Sequence, residues 1–295
     1  MSTTDRSGTD QTSTDVSTTG PSSPGPSTTG PSTDRPRDGG PGPLTTRGRG
    51  LLAAGVVASV VAGAAVVAAG LPQDVVVLGT ALSELTVPVG VLVALLGISV
   101  VGAAVARRAW RVVDIVVAAV LGVAGGLLFW VWNVAPYAVL GPLLVPPASA
   151  LVVGVWLLPG VLGGLVIRKP GAAVFTELVA AALSAVIGNQ WGFSTVWYGL
   201  LQGLGAEVVL ALFLYRYWSL PVALLAGAGA GLVVGVLDIT VYYPDLVPVV
   251  QLAYVACALL SGVVIAGLGS WALVRALART GVLSPLASGR DGRRV

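Results

Sequence analysis

The sequence predicts an all-α polytopic membrane protein, and three observations carry that reading. Of its 295 residues, 55% are apolar and only 10% are charged, with a mean hydropathy of +0.90, far from the balance a soluble domain keeps. From Leu51 onward, apolar runs of roughly 17 to 30 residues recur, the length that a ~30 Å hydrocarbon slab requires at about 1.5 Å per helical residue. The basic residues gather in every second connection between those runs, the asymmetry by which membrane helices are oriented.

Residues 1–50 hold seven of the 19 prolines, repeated Ser-Thr pairs, and no aromatic or Ile residue. Such a segment buries too little apolar surface to offset its chain entropy, so a disordered cytoplasmic tail is expected there. Eight spans are expected after it, at 51–70, 75–106, 112–132, 148–167, 172–188, 195–215, 219–241 and 248–276. Pro88 is a candidate kink in the second. Arg47 and Arg49 precede the first span, and Arg107, Arg108 and Arg111 follow the second. Arg168 and Lys169 follow the fourth, Arg216 follows the sixth, and Arg275 and Arg279 end the eighth. The connections Pro72 to Asp74, Asn133 to Pro147, Asn189 to Ser194 and Tyr242 to Val247 contain neither Lys nor Arg. Both termini, the second being a basic tail at 281–295, are therefore expected in the cytoplasm of a plasma-membrane protein.

The composition excludes whole classes of chemistry. There is no histidine and a single cysteine, Cys257, which removes Ser-His-Asp and Cys-His catalysis, histidine-ligated zinc and disulfide frameworks together. No G-x-x-x-x-G-K-[ST] phosphate loop is present, so any ATP-driven step needs a partner. The bases lie singly or in pairs at span ends, where they orient helices, and no nucleic-acid partner is expected. The expectation is a protein without catalysis, cofactor or metal.

What remains is an unusual outward side. The third span ends in Phe129-Trp130-Val131-Trp132-Asn133-Val134-Ala135-Pro136-Tyr137, the fifth in Gly188-Asn189-Gln190-Trp191-Gly192-Phe193, and the seventh in Tyr242-Tyr243-Pro244-Asp245. Aromatics at helix ends often form an interfacial belt. The amides Asn133, Asn189 and Gln190 beside them suit instead a flat heteroaromatic ligand with donors and acceptors on its rim. Four carboxylates, Asp114, Glu177, Glu207 and Asp238, lie in or near the last six spans, where each costs about 2.5 kcal/mol or more at a helix centre and so must face protein or water. Asp114, three residues from Arg111, reads as an ion pair. Glu177 shares a face with Ser184 and Gly188 and reads equally as a ligand contact or a buried structural group. Glu207, in line with Gly199 and Gly203, reads as structural, and Asp238, one turn inside Tyr242, as a wall of the pocket. Ala118, Gly122 and Gly126 recur every fourth residue, as do Gly227, Gly231 and Gly235. Such stripes serve close packing within the chain or, for the third span, a partner subunit.

From Trp110 to about Arg279 the sequence resembles the YkoE-like substrate-binding subunits (S components) of energy-coupling factor (ECF) transporters. The likeness rests on Val112-Val113-Asp114-Ile115 with Phe129-Trp130-Val131-Trp132-Asn133, on Arg168-Lys169-Pro170-Gly171-Ala172-Ala173 with Glu177, and on Gly188-Asn189-Gln190-Trp191-Gly192. It continues through Tyr198-Gly199-Leu200-Leu201-Gln202-Gly203 with Glu207 and through Asp238 followed by Tyr242-Tyr243. The resemblance implies a six-helix membrane domain at 110–280 that joins a transmembrane coupling subunit and two cytoplasmic ATPases to import thiamine or its hydroxymethylpyrimidine (HMP) precursor. It further implies a pocket that opens outward under the loop Asn133 to Pro147, and a first core helix whose small residues, here Ala118, Gly122 and Gly126, dock on the coupling subunit. The two spans within 51–109 are additions to that pattern. The expected substrate-binding residues are Trp132, Asn133, Tyr137, Glu177, Asn189, Gln190, Trp191, Asp238 and Tyr242. The alternative expectation is an autonomous secondary carrier with Glu177, Glu207 and Asp238 as a proton relay.

Overall fold

The computed structural model of the chain describes residues 46–70, 76–77, 80–81, 86–106 and 108–291, all within one compact unit, Pro43–Val295. Apart from Thr46 to Gly50, which are helical, the tail expected at 1–50 lies outside the described residues. The apolar runs form α1 (Thr46–Ala69), α2 (Thr86–Ala106), α3 (Val112–Val134), α5 (Leu158–Ile167), α6 (Ala172–Ile187), α7 (Ser194–Leu212) and α8 (Leu220–Val241), then α9 (Pro248–Ser261) and α10 (Gly269–Arg279). Short helices α4 (Pro136–Leu140) and α11 (Ala287–Asp291) lie in connections. A 3₁₀ helix, Ala148–Leu157, runs directly into α5, and a π-helical segment, Gly262–Leu268, joins α9 to α10. Among the described residues seven helical segments are long and apolar enough to cross a membrane, while α6, at 16 residues, is the shorter apolar helix that completes the eight expected spans.

The second span departs from expectation at its start. Helix α2 begins at Thr86, whereas Val76–Val77 pairs antiparallel with Thr80–Ala81. Pro88 therefore stands in the first turn of the helix and does not kink it, because the N–H that proline lacks has no helical partner in a first turn.

In lipid there is no hydrophobic force between helices, so close contact depends on small residues. Helix α3 packs on α6, α6 on α5 and α7, α7 on α8, and α8 on α9 and the π segment. The expected docking stripe is used within the chain. Ala118 is fully buried, a Cβ on Gly122 would lie 2.6 Å from Val179 Cβ, and one on Gly126 would lie 2.8 Å from Ala180 O. These three residues let α3 approach α6. The outer face of α3 presents Val116, Val120, Val123, Leu127 and Val131 instead. The added helices follow the same rule, with α1 packed on α2 and α2 reaching α7 where Gly102 meets Ala211.

The base-rich end is tied by polar contacts. Asp114 accepts the Arg111 backbone N–H at 2.8 Å and pairs with the Arg111 guanidinium at 2.9 Å and with Lys169, the ion pair expected from sequence with a second partner added. Trp110 Nε1 donates to Pro170 O at 2.8 Å. Glu207 accepts the Gly171 and Ala173 N–H groups at 2.6 and 2.9 Å, which satisfies donors that the first turn of α6 leaves free. The Tyr215 hydroxyl donates to Glu207 Oε1 at 2.7 Å, and burial, with the adjacent carboxylate, holds that phenol well above its ordinary pKa and hence protonated. Glu207 is structural, as its glycine neighbours implied.

Candidate functional site

At the opposite end of the bundle lies a cavity of about 370 Å³, within the range of small-molecule sites. The base-free connections and the helix ends beside them supply its walls. Tyr137 comes from α4, Ser149, Val153 and Trp156 from the 3₁₀ helix, and Trp191 from the α6–α7 turn. Ser194, Thr195, Tyr198 and Gln202 come from α7, Asp238 from the last turns of α8, Tyr242 and Tyr243 from just beyond it, and Tyr254 from α9.

One wall is a stack of rings. Trp156 meets Trp191 edge to face with centroids 5.5 Å apart, Tyr137 lies 4.8 Å from Trp156 and 5.6 Å from Trp191, and Trp132 backs Trp156 at 6.2 Å. Such edge-to-face pairs hold rings in fixed orientations beyond what area burial alone supplies. Two of the expected amides hold this wall and do not line the cavity. Asn133 Oδ1 accepts from Trp156 Nε1 at 3.1 Å. Asn189 Oδ1 accepts the Trp191 backbone N–H at 2.9 Å and the Thr195 hydroxyl at 3.0 Å, while its Nδ2 donates to Ser184 Oγ at 3.1 Å. The side chain thus forms an Asx turn that delivers Trp191 and Thr195 to the cavity. Gly188, with φ of 109°, ends α6 in a conformation that side chains rarely adopt. The motif Gly188-Asn189-Gln190-Trp191-Gly192 is a device for placing one tryptophan.

The other wall is a tyrosine cage around a carboxylate. Asp238 is 7% exposed and accepts from the Tyr254 hydroxyl at 2.7 Å. Tyr198 stacks on Tyr242 at 5.7 Å and 27°, and Tyr243 lies 5.2 Å from Tyr254. No lysine or arginine lines the cavity among the described residues. Several polar groups on the walls have hydrogen-bonding capacity that the protein does not use. The Ser149 and Tyr198 hydroxyls are buried without a partner, and Gln202, 7% exposed, makes no side-chain hydrogen bond among the described residues. A buried polar group left in that state costs about 1–3 kcal/mol, so such groups mark where a ligand's own donors and acceptors belong.

Of the nine expected binding residues, the structure brings Tyr137, Trp191, Asp238 and Tyr242 to the cavity wall. Trp132, Asn133 and Asn189 stand behind it, Gln190 is exposed outside it, and Glu177 is elsewhere. Glu177 is 1% exposed and accepts the Gly160 N–H at 2.6 Å between α5 and α6, with its other oxygen unpartnered. Among the described residues no hydrogen bond links Glu177, Glu207 and Asp238 to one another: each bonds to its own separate neighbours.

A family model described as "ABC-type cobalt transport system, permease component" matches residues 113–233. YkoE of Bacillus subtilis (strain 168), provisionally named an HMP/thiamine permease protein, is 34% identical over 188 residues, which cover 62% of this chain and 92% of that protein. The chain belongs to the YkoE family. A crystal structure of an S-component of an ECF transporter superposes with a TM-score of 0.60 at 33% identity, over 63% of this chain and 94% of that one. The chain is therefore an S component of the YkoE family and a multi-pass membrane protein, as the resemblance implied.

Several wall residues of this YkoE-family chain escaped the sequence reading. Trp156 and Val153 stand on a 3₁₀ helix, where residues three apart eclipse, so a 3.6-residue period does not place them on one face. Tyr254 stands one turn after Gln251 near the start of the last span, an amide–aromatic pair that the sequence reading did not use. Tyr198 and Gln202, four apart on α7, were the available signal, because an amide inside an apolar span needs a reason.

Proposed function

We propose that this S component captures thiamine or its HMP precursor from the outer face of the plasma membrane, for ATP-driven import by partner subunits. One observation carries the reading: among the described residues one carboxylate, Asp238, lines the cavity, whose walls are otherwise rich in tyrosine and tryptophan rings. A thiazolium cation finds its counter-charge in that carboxylate and its faces on the rings, and an aminopyrimidine finds stacking surface and hydrogen-bonding groups in the same space. The relative's name points to the same compounds. A metal ion is a poorer occupant: the chain has no histidine, and no cluster of three potential metal ligands occurs among the described residues.

Outer-face capture rests on charge. The connections that line the cavity contain no Lys or Arg, while the opposite end holds Arg108, Arg111, Arg168, Lys169 and Arg216, which the positive-inside rule assigns to the cytoplasm. Segment 136–147, with Tyr137 on its inner side, is the cover over the cavity mouth. The chain binds and performs no catalysis. A transmembrane coupling subunit and two ATPases supply the energy that its own sequence lacks the phosphate loop to provide. The three carboxylates, bonded to separate neighbours and not to one another, give no support to a proton relay.

Reconstitution tests this division of labour. Proteoliposomes holding the S component together with its coupling subunit and ATPases should accumulate labelled thiamine only with internal-face ATP. Accumulation by the S component alone, driven by a pH gradient, contradicts it and restores the carrier reading.

A further inference from the structure

We propose that Gln202 is the specificity-determining residue that reads the amino-pyrimidine edge of the substrate, an inference that rests on the functional reading above. Three observations place it there. Gln202 lines the cavity, is 7% exposed, and makes no side-chain hydrogen bond among the described residues. It stands one turn along α7 from Tyr198, whose ring stacks on Tyr242 and forms part of the aromatic wall, so a ring lying along that wall presents its rim toward the next turn. The carboxylate of Asp238 already takes the Tyr254 hydroxyl, whereas the Gln202 amide remains unspent.

The chemistry of the amide selects the class of edge. A primary amide carries an acceptor oxygen and a two-proton donor nitrogen side by side in one plane. Its complement is a ring nitrogen beside an exocyclic amine, the same bidentate fit by which glutamine reads adenine. The aminopyrimidine common to thiamine and HMP has that edge, and the thiazolium half does not. A hydroxyl at this position makes only one of the two bonds, and a carboxylate offers no donor to the ring nitrogen. The Ser149 and Tyr198 hydroxyls, also unpartnered, belong to the same wall and serve the remaining polar rim.

The test is a cycle of two ligands and three proteins. The full-length chain, Gln202→Leu and Gln202→Met are titrated in detergent with HMP and with the same pyrimidine lacking the ring amino group. The parent protein should prefer HMP by about tenfold or more, the effect of one well-placed buried hydrogen bond. In Gln202→Leu the two ligands should bind equally, and so they should in Gln202→Met, which keeps the length of the side chain without its amide. Should the leucine variant fail to fold, the methionine variant decides alone. A preference that persists unchanged in the variants, or no preference in the parent protein that binds HMP, overturns the assignment of Gln202 and leaves the functional reading standing. Failure of the parent protein to bind either HMP or thiamine removes both.

Discussion

At the scale of single residues, the site separates side chains that line the cavity from side chains that aim them. Asp238 belongs to the first group: among the described residues it is the one carboxylate on the cavity wall, and Tyr254 donates to it. Asp238→Asn keeps the shape and removes the charge, so thiamine, with its fixed positive charge, should bind about tenfold or more weakly, as loss of a charge-assisted contact predicts. Isothermal titration calorimetry measures it, and unchanged affinity would separate the carboxylate from the ligand. Asn189 belongs to the second group. Asn189→Ala removes the acceptor shared by the Trp191 N–H and Thr195, and binding should weaken by about 1 kcal/mol while the protein's melting temperature stays close to the parent value. These two groups explain what was legible in the sequence. Amides beside aromatics at helix ends marked the site, but sequence alone does not say whether an amide faces the ligand or its neighbour's backbone. Asn133 and Asn189 do the latter.

At the scale of elements, the glycine and alanine stripes set how closely helices approach. Helix α3 meets α6 through Ala118, Gly122 and Gly126, so Gly122→Leu should force the pair apart and cost about 1–3 kcal/mol or more, seen as a lower melting temperature in detergent. Val120→Leu, on the exposed face of the same helix, should leave the melting temperature unchanged. The stripes themselves were visible in the sequence, and so were the spans, because length and hydropathy fix them. Their partners were not visible, since a small-residue stripe looks the same whether another helix of the chain or another subunit fills it. The 3₁₀ geometry of Ala148–Leu157 was equally hidden. It arises in an apolar run with no local signal and is held by tertiary contacts, with the Ser261 hydroxyl accepting the Gly154 N–H at 2.9 Å and donating to Leu151 O at 2.7 Å.

At the scale of the whole molecule, charge and cavity occupy opposite ends, and the proposed capture from the outer face rests on that polarity. Orientation can be read by replacing Cys257 with Ser and placing single cysteines at Phe193, beside the cavity, and at Val282, beyond α10, both exposed. A membrane-impermeant maleimide applied to intact cells should label Phe193→Cys and spare Val282→Cys, and the reverse pattern would invert the topology. The central claim, that this cavity receives thiamine or HMP, is tested most directly by titrating the purified full-length chain with each compound while following tryptophan fluorescence. Trp156 and Trp191 line the cavity, so binding should quench emission saturably at micromolar concentration or below, and Trp191→Ala should remove much of the quench. No saturable change with either compound, in protein that melts cooperatively, would contradict the account.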